Sequence, residues 1–540
     1  MYDAPTAKRG IWFRLLIIGA PVALLVAYLF MPRPQAPAGP VFFTQDGKSQ
    51  QAPELDGGAG WVNTDKPVSI HKDLKGKIVV LDFWTFCCIN CIHTLPDLAK
   101  IEKKYADQVV VIGVHSAKFK AEKSTDNIRK AVLRYQIRHP VVNDPEQKIW
   151  DLYGCQSWPT LFVIDPEGNV VNAYQGEGNY EDLDAVIGKL IEKHRKAKTL
   201  DEKPLHFALE HELEQPLNFP GKVLADAKSN RLFIADSTNH RIVITDLDGN
   251  KIDIAGAGTP GNVDGPFASA KFNDPQGMAL KDEILYVADR KNHEIRALDL
   301  RAKTVDRVAG TGVQDREDRF LREPAPARKT GINSPWDVLF GPDGLLYIAM
   351  AGDHQIWTLD LATRKLDIYA GSGRENILDD SLRMANFAQP SGLTTDGNEL
   401  FVADSEVSGV RAMPFGKRGS VRTIVGLGLF IFGDQDGKGS SVLLQHALAV
   451  QYVDGKIYVA DTYNSKIKVL DPRTSECTTF VGGEPEVKPN GPTFNEPGGL
   501  SYANGKLYVA DTNAHRIRIV DLKTKAVTTL QLTGVPPVPK

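Results

Sequence analysis

Residues 78–91, IVVLDFWTFCCINC, decide how the first half of the chain folds. The β-branched run 78–84 is typical of a strand buried on both faces, and the apolar residues that recur over 92–105 predict a helix. A Cys-x-x-Cys pair, Cys88 and Cys91, therefore lies where a strand gives way to a helix. The positive end of the helix favours loss of the first thiol's proton, and the second thiol, one turn later, can attack a mixed disulfide.

The alternation of strands and helices continues along the chain. Further strands are predicted at 109–114, 161–164 and 170–174, and amphipathic helices at 128–135 and 180–193. Strands that alternate with helices indicate an α/β layer structure. The sequence therefore predicts an α/β domain that carries the dithiol directly after its first strand.

Four features in order make this domain resemble the thioredoxin fold. They are Asp82, the motif Cys88-Ile-Asn-Cys91, Pro96, and Trp158-Pro159-Thr160. The segment before Pro159 is similar to an insertion in bacterial membrane-anchored thiol–disulfide oxidoreductases. The resemblance implies that Cys88 attacks a substrate and that Cys91 resolves the mixed disulfide. It also implies a cis-proline at Pro159, facing the dithiol, and a substrate groove at Trp158, Pro159 and Thr160.

Asp82 is a candidate for proton transfer. It stands between Leu81 and Phe83, and burial there is expected to raise the pKa of its carboxyl. A buried carboxyl near Cys91 can accept the proton of that thiol through water. The alternative is a solvated aspartate at the end of the strand.

The chain departs from the thioredoxin pattern around the motif. Cys87 stands where the family has tryptophan, and Ile89-Asn90 where it has Gly-Pro, which leaves the direction of electron flow open. Cys87 is interpreted as a small packing residue, with a competing nucleophile as the alternative. Cys155, four residues before Pro159, is interpreted as a buried thiol, with an additional resolving thiol as the alternative.

The cysteine spacing argues against metal and haem. A zinc site needs about four ligands, and no second Cys-x-x-Cys pair follows. A c-type haem needs histidine directly after the second cysteine, but that residue is Ile92 and the histidine is His93. No cofactor and no metal site are therefore predicted.

The second half of the chain repeats a short motif six times. Its copies are 232–236, 285–289, 346–350, 400–404, 457–461 and 507–511. Long repeats that hold several strands each are typical of propeller blades. These segments resemble NHL repeats, and together with the first domain the chain resembles the thioredoxin/NHL-repeat protein family. A six-bladed β-propeller is therefore expected.

Three details of the repeat lead to further expectations. The aspartate that ends most copies is interpreted as a turn residue that accepts backbone N–H bonds. The alternating segment 205–209 is expected to supply a strand that closes the ring. The loops 311–333 and 372–389 carry mixed charge and are expected to form one recognition face.

The N-terminus predicts a membrane segment. An uncharged run over 15–31 follows Lys8, Arg9 and Arg14, and as a helix it would span roughly 26 Å. Positive charge before the run favours an N-terminus in the cytoplasm. We interpret the run as an uncleaved anchor followed by a proline-rich spacer. The alternative is a signal peptide cleaved at the A-x-A-like site 36–38.

The composition narrows the possible functions. The chain has 540 residues, in which 64 Lys+Arg oppose 67 Asp+Glu, and a net charge of −3 argues against a broad nucleic-acid binder. Five cysteines exclude a disulfide scaffold. The sequence thus predicts a multidomain protein, with an anchor and spacer at 1–40, an α/β thioredoxin-like domain at 50–196 and an all-β six-bladed propeller at 205–540.

The resemblance implies a thiol–disulfide oxidoreductase that acts on a protein substrate, with a propeller that binds an unidentified protein partner. The anchor predicts a single-pass protein of the bacterial inner membrane, whose domains face the periplasm or the cell exterior. Two alternatives stay open. One is an interaction scaffold with a redox-inactive thioredoxin-like module, and the other is a propeller hydrolase or lyase.

Overall fold

The computed structural model describes residues 50–316, 323–483 and 493–539. The predicted membrane segment at 15–31 lies outside these ranges. Among the described residues, no helix is both long and apolar enough to cross a membrane. An α/β unit occupies the first part of the described chain, and a β-propeller occupies the rest.

The α/β unit is built on a seven-stranded sheet. Its strands are β1 (Gln50–Gln51), β2 (Gly60–Val62), β3 (Ile78–Trp84), β4 (Val109–Ser116), β5 (Val141–Asp144), β6 (Thr160–Ile164) and β7 (Asn169–Gln175), and its helices are α1 (Ile89–Lys104), α2 (Thr125–Tyr135), α3 (Lys148–Tyr153) and α4 (Tyr180–Ala197). The order across the sheet is β1-β7-β6-β3-β4-β5-β2, in which β3, β4 and β5 run parallel and the other neighbours pair antiparallel. The predicted strands and helices are confirmed, while β1, β2, β5 and α3 are additional.

Strand β3 lies at the centre of this sheet, and all seven of its residues are buried. On one face Phe83 packs edge-on against Trp150 of α3. On the other face Val80 shares a cluster with Leu98 of α1 and Ile187 of α4. Burial of an apolar side chain of this size contributes about 1.5–3 kcal/mol. Packing on both faces therefore fixes the strand end that leads into the Cys-x-x-Cys segment.

Six antiparallel sheets form the propeller. The blades comprise β8–β11 (Lys222–Asp226, Arg231–Asp236, Arg241–Asp246, Lys251–Ala255), β12–β16 (Gly265–Pro266, Pro275–Lys281, Ile284–Asp289, Glu294–Asp299, Thr304–Gly310), β17–β21 (Ala325–Pro326, Pro335–Phe340, Leu346–Met350, Gln355–Asp360, Lys365–Ala370), β22–β25 (Pro390–Thr395, Glu399–Asp404, Gly409–Pro414, Arg422–Val425), β26–β30 (Gly437–Lys438, Ala449–Val453, Lys456–Asp461, Lys466–Leu470, Glu476–Gly482) and β31–β34 (Pro497–Ala503, Lys506–Asp511, Arg516–Asp521, Val527–Thr529). The first long strands of successive blades contact one another, and contact between β31 and β8 closes the ring. The expected six-bladed propeller is confirmed.

The repeated aspartate holds the opening loop of its blade. The Asp236 carboxylate accepts a hydrogen bond of 2.6 Å from the backbone N–H of Asn218. Equivalent backbone bonds reach Asp289, Asp404, Asp461 and Asp511. The interpretation of this residue as structural is confirmed. In the third blade, the buried Met350 takes the place of the aspartate.

The expected closing strand at 205–209 is wrong. This segment forms no strand, because Phe207 packs against the core of the α/β unit instead. The outer strand of the last blade, β34, comes from the C-terminal part of the chain. The tail after it runs along the first blade, where Lys251 N–H donates to the Thr533 carbonyl and Thr533 N–H donates to the Gly249 carbonyl, both at 3.0 Å. The C-terminal tail therefore fastens the last blade to the first.

Four buried histidines link neighbouring blades. The Nδ1 atoms of His240, His293, His354 and His515 accept backbone N–H bonds of 3.0–3.2 Å from the opening loops of the next blades, at Asp274, Ser334, Gln389 and Phe219. A ring that accepts at Nδ1 must be neutral. Burial lowers the pKa of His240 and His354 to about 4 and that of His293 to about 3.

We expect these histidines to contribute stability to the propeller that is lost as the pH falls from about 7 to about 4. Unfolded histidines bind a proton near pH 6.5, whereas the folded rings stay neutral to about pH 4, so the unfolded state binds more protons across this window. Urea unfolding at several pH values measures the effect. His293→Gln should reduce the slope of stability against pH, and His206→Gln, at an exposed position, should leave it unchanged. Equal slopes in the two variants would contradict the assignment.

Candidate functional site

The dithiol lies at the N-terminus of α1. Cys88 caps the helix and is half-buried, whereas Cys91 lies in the first turn and is fully buried. Both thiols are free, and the Cys91 thiol is hydrogen-bonded to Cys88, so the two sulfur groups face each other. Burial raises the pKa of Cys91 well above its ordinary value, and Cys88 adds to the rise. Cys91 is therefore held as a protonated thiol, and Cys88 is the more accessible sulfur.

Asp82 is buried in β3, as expected. Neither carboxylate oxygen has a hydrogen-bond partner among the described residues. Burial raises the pKa of Asp82 to about 7, although His139 opposes the shift. The Asp82 charge in turn contributes to the raised pKa of Cys91, which places the two groups in electrostatic contact. An unpaired carboxyl that titrates near neutrality beside a buried thiol is suited to take up its proton.

The segment that the resemblance assigns to a substrate groove precedes β6. The Trp158–Pro159 peptide bond is cis, as expected. Trp158 Nε1 donates to the Ser116 carbonyl at 3.0 Å, and the Thr160 hydroxyl donates to the Ser157 carbonyl at 2.7 Å. These bonds hold the three residues in place, while their role in substrate binding stays a prediction.

The two auxiliary cysteines are both buried. Burial raises the pKa of Cys87 well above its ordinary value, and the carboxylates of Glu122 and Glu406 raise it further. The Cys87 backbone N–H also donates to Glu122 at 3.0 Å. Cys155 lies in the core cluster that contains Tyr153, and burial raises its pKa as well. Both environments favour packing residues over nucleophiles.

One group of side chains among the described residues has the composition of a metal site. Ligand atoms of Asp165, Glu167 and His194 lie within 4.8 Å of one another. The Asp165 carboxylate, however, accepts N–H bonds from Glu167 at 3.0 Å and Asn169 at 2.9 Å and so closes the turn between β6 and β7. This turn follows the end of β6 that is remote from Pro159, so the group is separate from the dithiol.

The propeller contributes a residue to the dithiol segment. The side-chain oxygen of Gln389 accepts a hydrogen bond from the Ile89 N–H, and its amide nitrogen donates to the Cys87 carbonyl, both at 2.9 Å. Gln389 thus bridges the two residues that flank Cys88. It also satisfies one of the N–H groups that an isolated helix N-terminus leaves unpaired.

A second contact from the propeller lies on the next turn of α1. His93 is buried, and its Nε2 lies 2.6 Å from the Ser334 hydroxyl of the third blade. Its Nδ1 lies 2.7 Å from Glu177, which also accepts a bond of 2.9 Å from Gln314 of the propeller. The face of the α/β unit that carries the dithiol is therefore docked on the propeller.

Two recurrent positions of the blades supply much of this interface. One is the residue with positive φ that precedes the first long strand, and the other is the second residue after the position of the repeated aspartate. Contacts of the first kind come from Ser334, Gln389, His446 and Glu496, and contacts of the second kind from Thr238, Lys291, Glu406, Tyr463 and Asn513. The sequence holds a signal for this surface, because these positions differ from blade to blade while their neighbours repeat.

Family models match both parts of the chain. A thioredoxin-like model matches residues 76–170, and an NHL-repeat model matches residues 494–520. A shorter similarity joins the first part to a protein named thiol-disulfide oxidoreductase ResA from Bacillus thuringiensis. That match is 34% identical over 119 residues and covers 22% of this chain and 66% of the relative.

Longer relatives span both parts. NHL repeat-containing protein 2 from Homo sapiens is 44% identical over 497 residues, which cover 84% of this chain and 68% of the relative. Protein SUPPRESSOR OF QUENCHING 1, chloroplastic, from Arabidopsis thaliana is 45% identical over 471 residues, which cover 83% of this chain and 44% of the relative. The chain spans about two thirds of the length of the vertebrate relatives. With its thioredoxin-like domain joined to NHL repeats, the chain belongs to the NHL repeat-containing protein 2 family.

Proposed function

We propose that this protein is a thiol–disulfide oxidoreductase that uses Cys88 and Cys91. One observation carries the proposal: a half-buried Cys88 at a helix N-terminus faces a buried Cys91, beside a buried carboxyl that has no partner among the described residues. The similarity to thiol-disulfide oxidoreductase ResA supports the same chemistry.

The exchange runs in two steps. The Cys88 thiolate attacks one sulfur of a substrate disulfide, forms a mixed disulfide and releases the other sulfur as a thiol. Asp82 then takes up the Cys91 proton through water, and the Cys91 thiolate attacks the Cys88 sulfur. The second substrate thiol leaves, and a Cys88–Cys91 disulfide remains. Reversal of these steps oxidises a substrate dithiol.

The remaining parts of the proposal concern partners and location. We infer a protein as one exchange partner, and the propeller as the part that selects it. The segment 15–31 would tether the chain as a single pass through the bacterial inner membrane, with both domains facing the periplasm or the cell exterior. The charge distribution and apolar length of that segment support this placement.

Cysteine variants test the exchange reaction. Cys88→Ser should abolish reduction of insulin disulfides by the full chain. Cys91→Ser should block turnover but retain the first attack, so that a mixed disulfide accumulates and is visible by non-reducing electrophoresis. Cys477→Ser, in which a buried thiol of the fifth blade is changed, serves as the control and should retain turnover. Undiminished turnover after replacement of both Cys88 and Cys91 would overturn the proposal.

One observation favours the scaffold as a second candidate function. The dithiol face is docked on the propeller through Gln389 and Ser334, so a large substrate has limited access to Cys88. A redox-inactive scaffold predicts that the full chain has no reduction potential in the oxidoreductase range, which equilibration with glutathione buffers measures.

The cavity where the α/β unit meets the first strands of the blades gives no support to a hydrolase or lyase. It measures about 50 Å³, and Phe86, Cys87 and Tyr135 of the α/β unit line it. That volume is far below the roughly 300 Å³ at which small-molecule sites begin.

A further inference from the structure

A pocket of about 380 Å³ lies between the two domains and reaches the dithiol segment at Asn90, while neither cysteine is among its described lining residues. Asn90, which stands between Cys88 and Cys91, lines it from the α/β unit together with Glu177. The propeller supplies Arg316, Asn333 and Arg374 to the pocket wall. The volume falls in the range of about 300–1,000 Å³ that is usual for small-molecule sites.

Two polar groups in the pocket wall are able to hydrogen-bond a ligand. Asn333 is 3% exposed, and its side-chain oxygen has no hydrogen-bond partner among the described residues. His354 is 8% exposed and accepts the Gln389 N–H at its Nδ1, so its Nε2 carries the proton and is a donor in the pocket wall. A buried amide oxygen without a partner is unfavourable, and a bound donor would remove that penalty.

The charged side chains that line the pocket are of both signs: Arg316 and Arg374 are positive, and Glu177, Asp315 and Asp353 are negative. Arg374 is exposed and makes no ion pair with any described residue, whereas Arg316 forms an ion pair with Asp97 at 3.3 Å. Glu177 carries a lowered pKa, because its bonds to His93 and Gln314 outweigh the effect of its burial. Guanidinium groups bind carboxylates, and a carboxylate with a neighbouring amide oxygen binds an ammonium group. The pocket is therefore suited to a ligand that carries both charges.

We propose that this pocket binds a small zwitterionic disulfide or its thiol, of the amino-acid or short-peptide class, as the second exchange partner of the Cys88–Cys91 pair. The inference rests on the proposed oxidoreductase function. A dithiol that turns over needs one partner that gives electrons and one that takes them, and the docked propeller leaves room for a small molecule beside Asn90. In the half-reaction, the reduced dithiol and one small disulfide yield the Cys88–Cys91 disulfide and two small thiols.

The test compares the rates at which two small disulfides oxidise the dithiol of the reduced full chain. Glutathione disulfide carries carboxylates and ammonium groups, and bis(2-hydroxyethyl) disulfide carries neither. The rate at which each oxidises the dithiol is followed by alkylation and mass spectrometry. The oxidation rate with glutathione disulfide is divided by the rate with bis(2-hydroxyethyl) disulfide. We expect this ratio to fall about tenfold in Arg374→Gln, because the Arg374 guanidinium would contact the ligand carboxylate. Arg473→Gln, an exposed arginine of the fifth blade, is the matched control and should keep the ratio of the unchanged protein.

The outcomes separate this inference from the proposed function. An equal ratio in both arginine variants would overturn the pocket assignment and leave the oxidoreductase function standing. If neither disulfide oxidises the dithiol, the oxidoreductase function fails, and calorimetry on the Cys88→Ser/Cys91→Ser chain then decides the pocket. Glutathione disulfide binding that weakens in Arg374→Gln would support the pocket, and no binding would overturn it.

Discussion

Asp82→Asn should slow resolution of the mixed disulfide by a factor of about 10²–10⁴, the range in which positioned acids and bases act. The first attack by Cys88 does not use this carboxyl and should keep its rate. In the unchanged protein, the resolution rate should rise with pH through about 7, because only the ionised Asp82 accepts the Cys91 proton. Single-turnover measurements with a chromogenic disulfide separate the two steps.

The same substitution should stabilise the fold at alkaline pH. The folded-state pKa of Asp82 lies at about 7, above the ordinary value of 3.8, so stability is lost as the pH rises through this interval. Each pKa unit corresponds to about 1.4 kcal/mol, and Asp82→Asn should therefore gain on the order of a few kcal/mol at pH 8. Asp144→Asn is the control, because that carboxylate accepts N–H bonds from Ile149 and Trp150 and its loss should destabilise. Destabilisation by Asp82→Asn, or unchanged resolution, would contradict the role.

Lys118→Met should destabilise the chain by about 3–5 kcal/mol. Lys118 and Glu406 form an ion pair across the domain interface, with only 6% and 3% of their side chains exposed. Burial by itself lowers the pKa of Lys118, but the Glu406 carboxylate outweighs it and the pKa is raised. Without the lysine, Glu406 is left as a buried charge near Glu375, with no counterion of comparable strength.

Urea unfolding and limited proteolysis measure this loss. Unfolding gives the free energy, and cleavage in the exposed connector at 201–206 reports whether the domains separate. Adding Glu406→Gln to Lys118→Met should recover much of the stability, because no charge is then left unpaired. Lys104→Met removes the exposed pair with Asp184 and should change stability by no more than about 1 kcal/mol. Equal losses from the two lysine variants would refute the importance of the buried pair.

The regular parts of the fold were predictable, because their signals are local. Strand β3 follows from a continuous β-branched run, and the blades follow from a motif that repeats six times. Strand β5 is too short for such a signal, since Val141-Val142 is its apolar part and its position comes from parallel pairing with β4. The segment 205–209 alternates like a strand, but packing of Phe207 on the α/β core prevails.

The candidate site was also predictable only in part. The positions of Cys88, Cys91, Asp82 and Pro159 follow from local spacing and from the resemblance to the thioredoxin fold. The contact of Gln389 with the dithiol segment could not be predicted, because it depends on how two separately folded domains meet, 300 residues apart in sequence.

The contacts with the α/β unit differ from blade to blade, and this difference limits how the number and order of the blades can change. A ring of six similar blades would otherwise accept the α/β unit in six rotational orientations of nearly equal energy. Gln389, Glu406 and Glu496 each contact a different group of the α/β unit, so one orientation is selected. Loss, gain or exchange of a blade would turn these side chains away from their partners on the α/β unit. Blade number and order are therefore constrained by chemistry in the neighbouring domain, while the outer strands remain free to diverge.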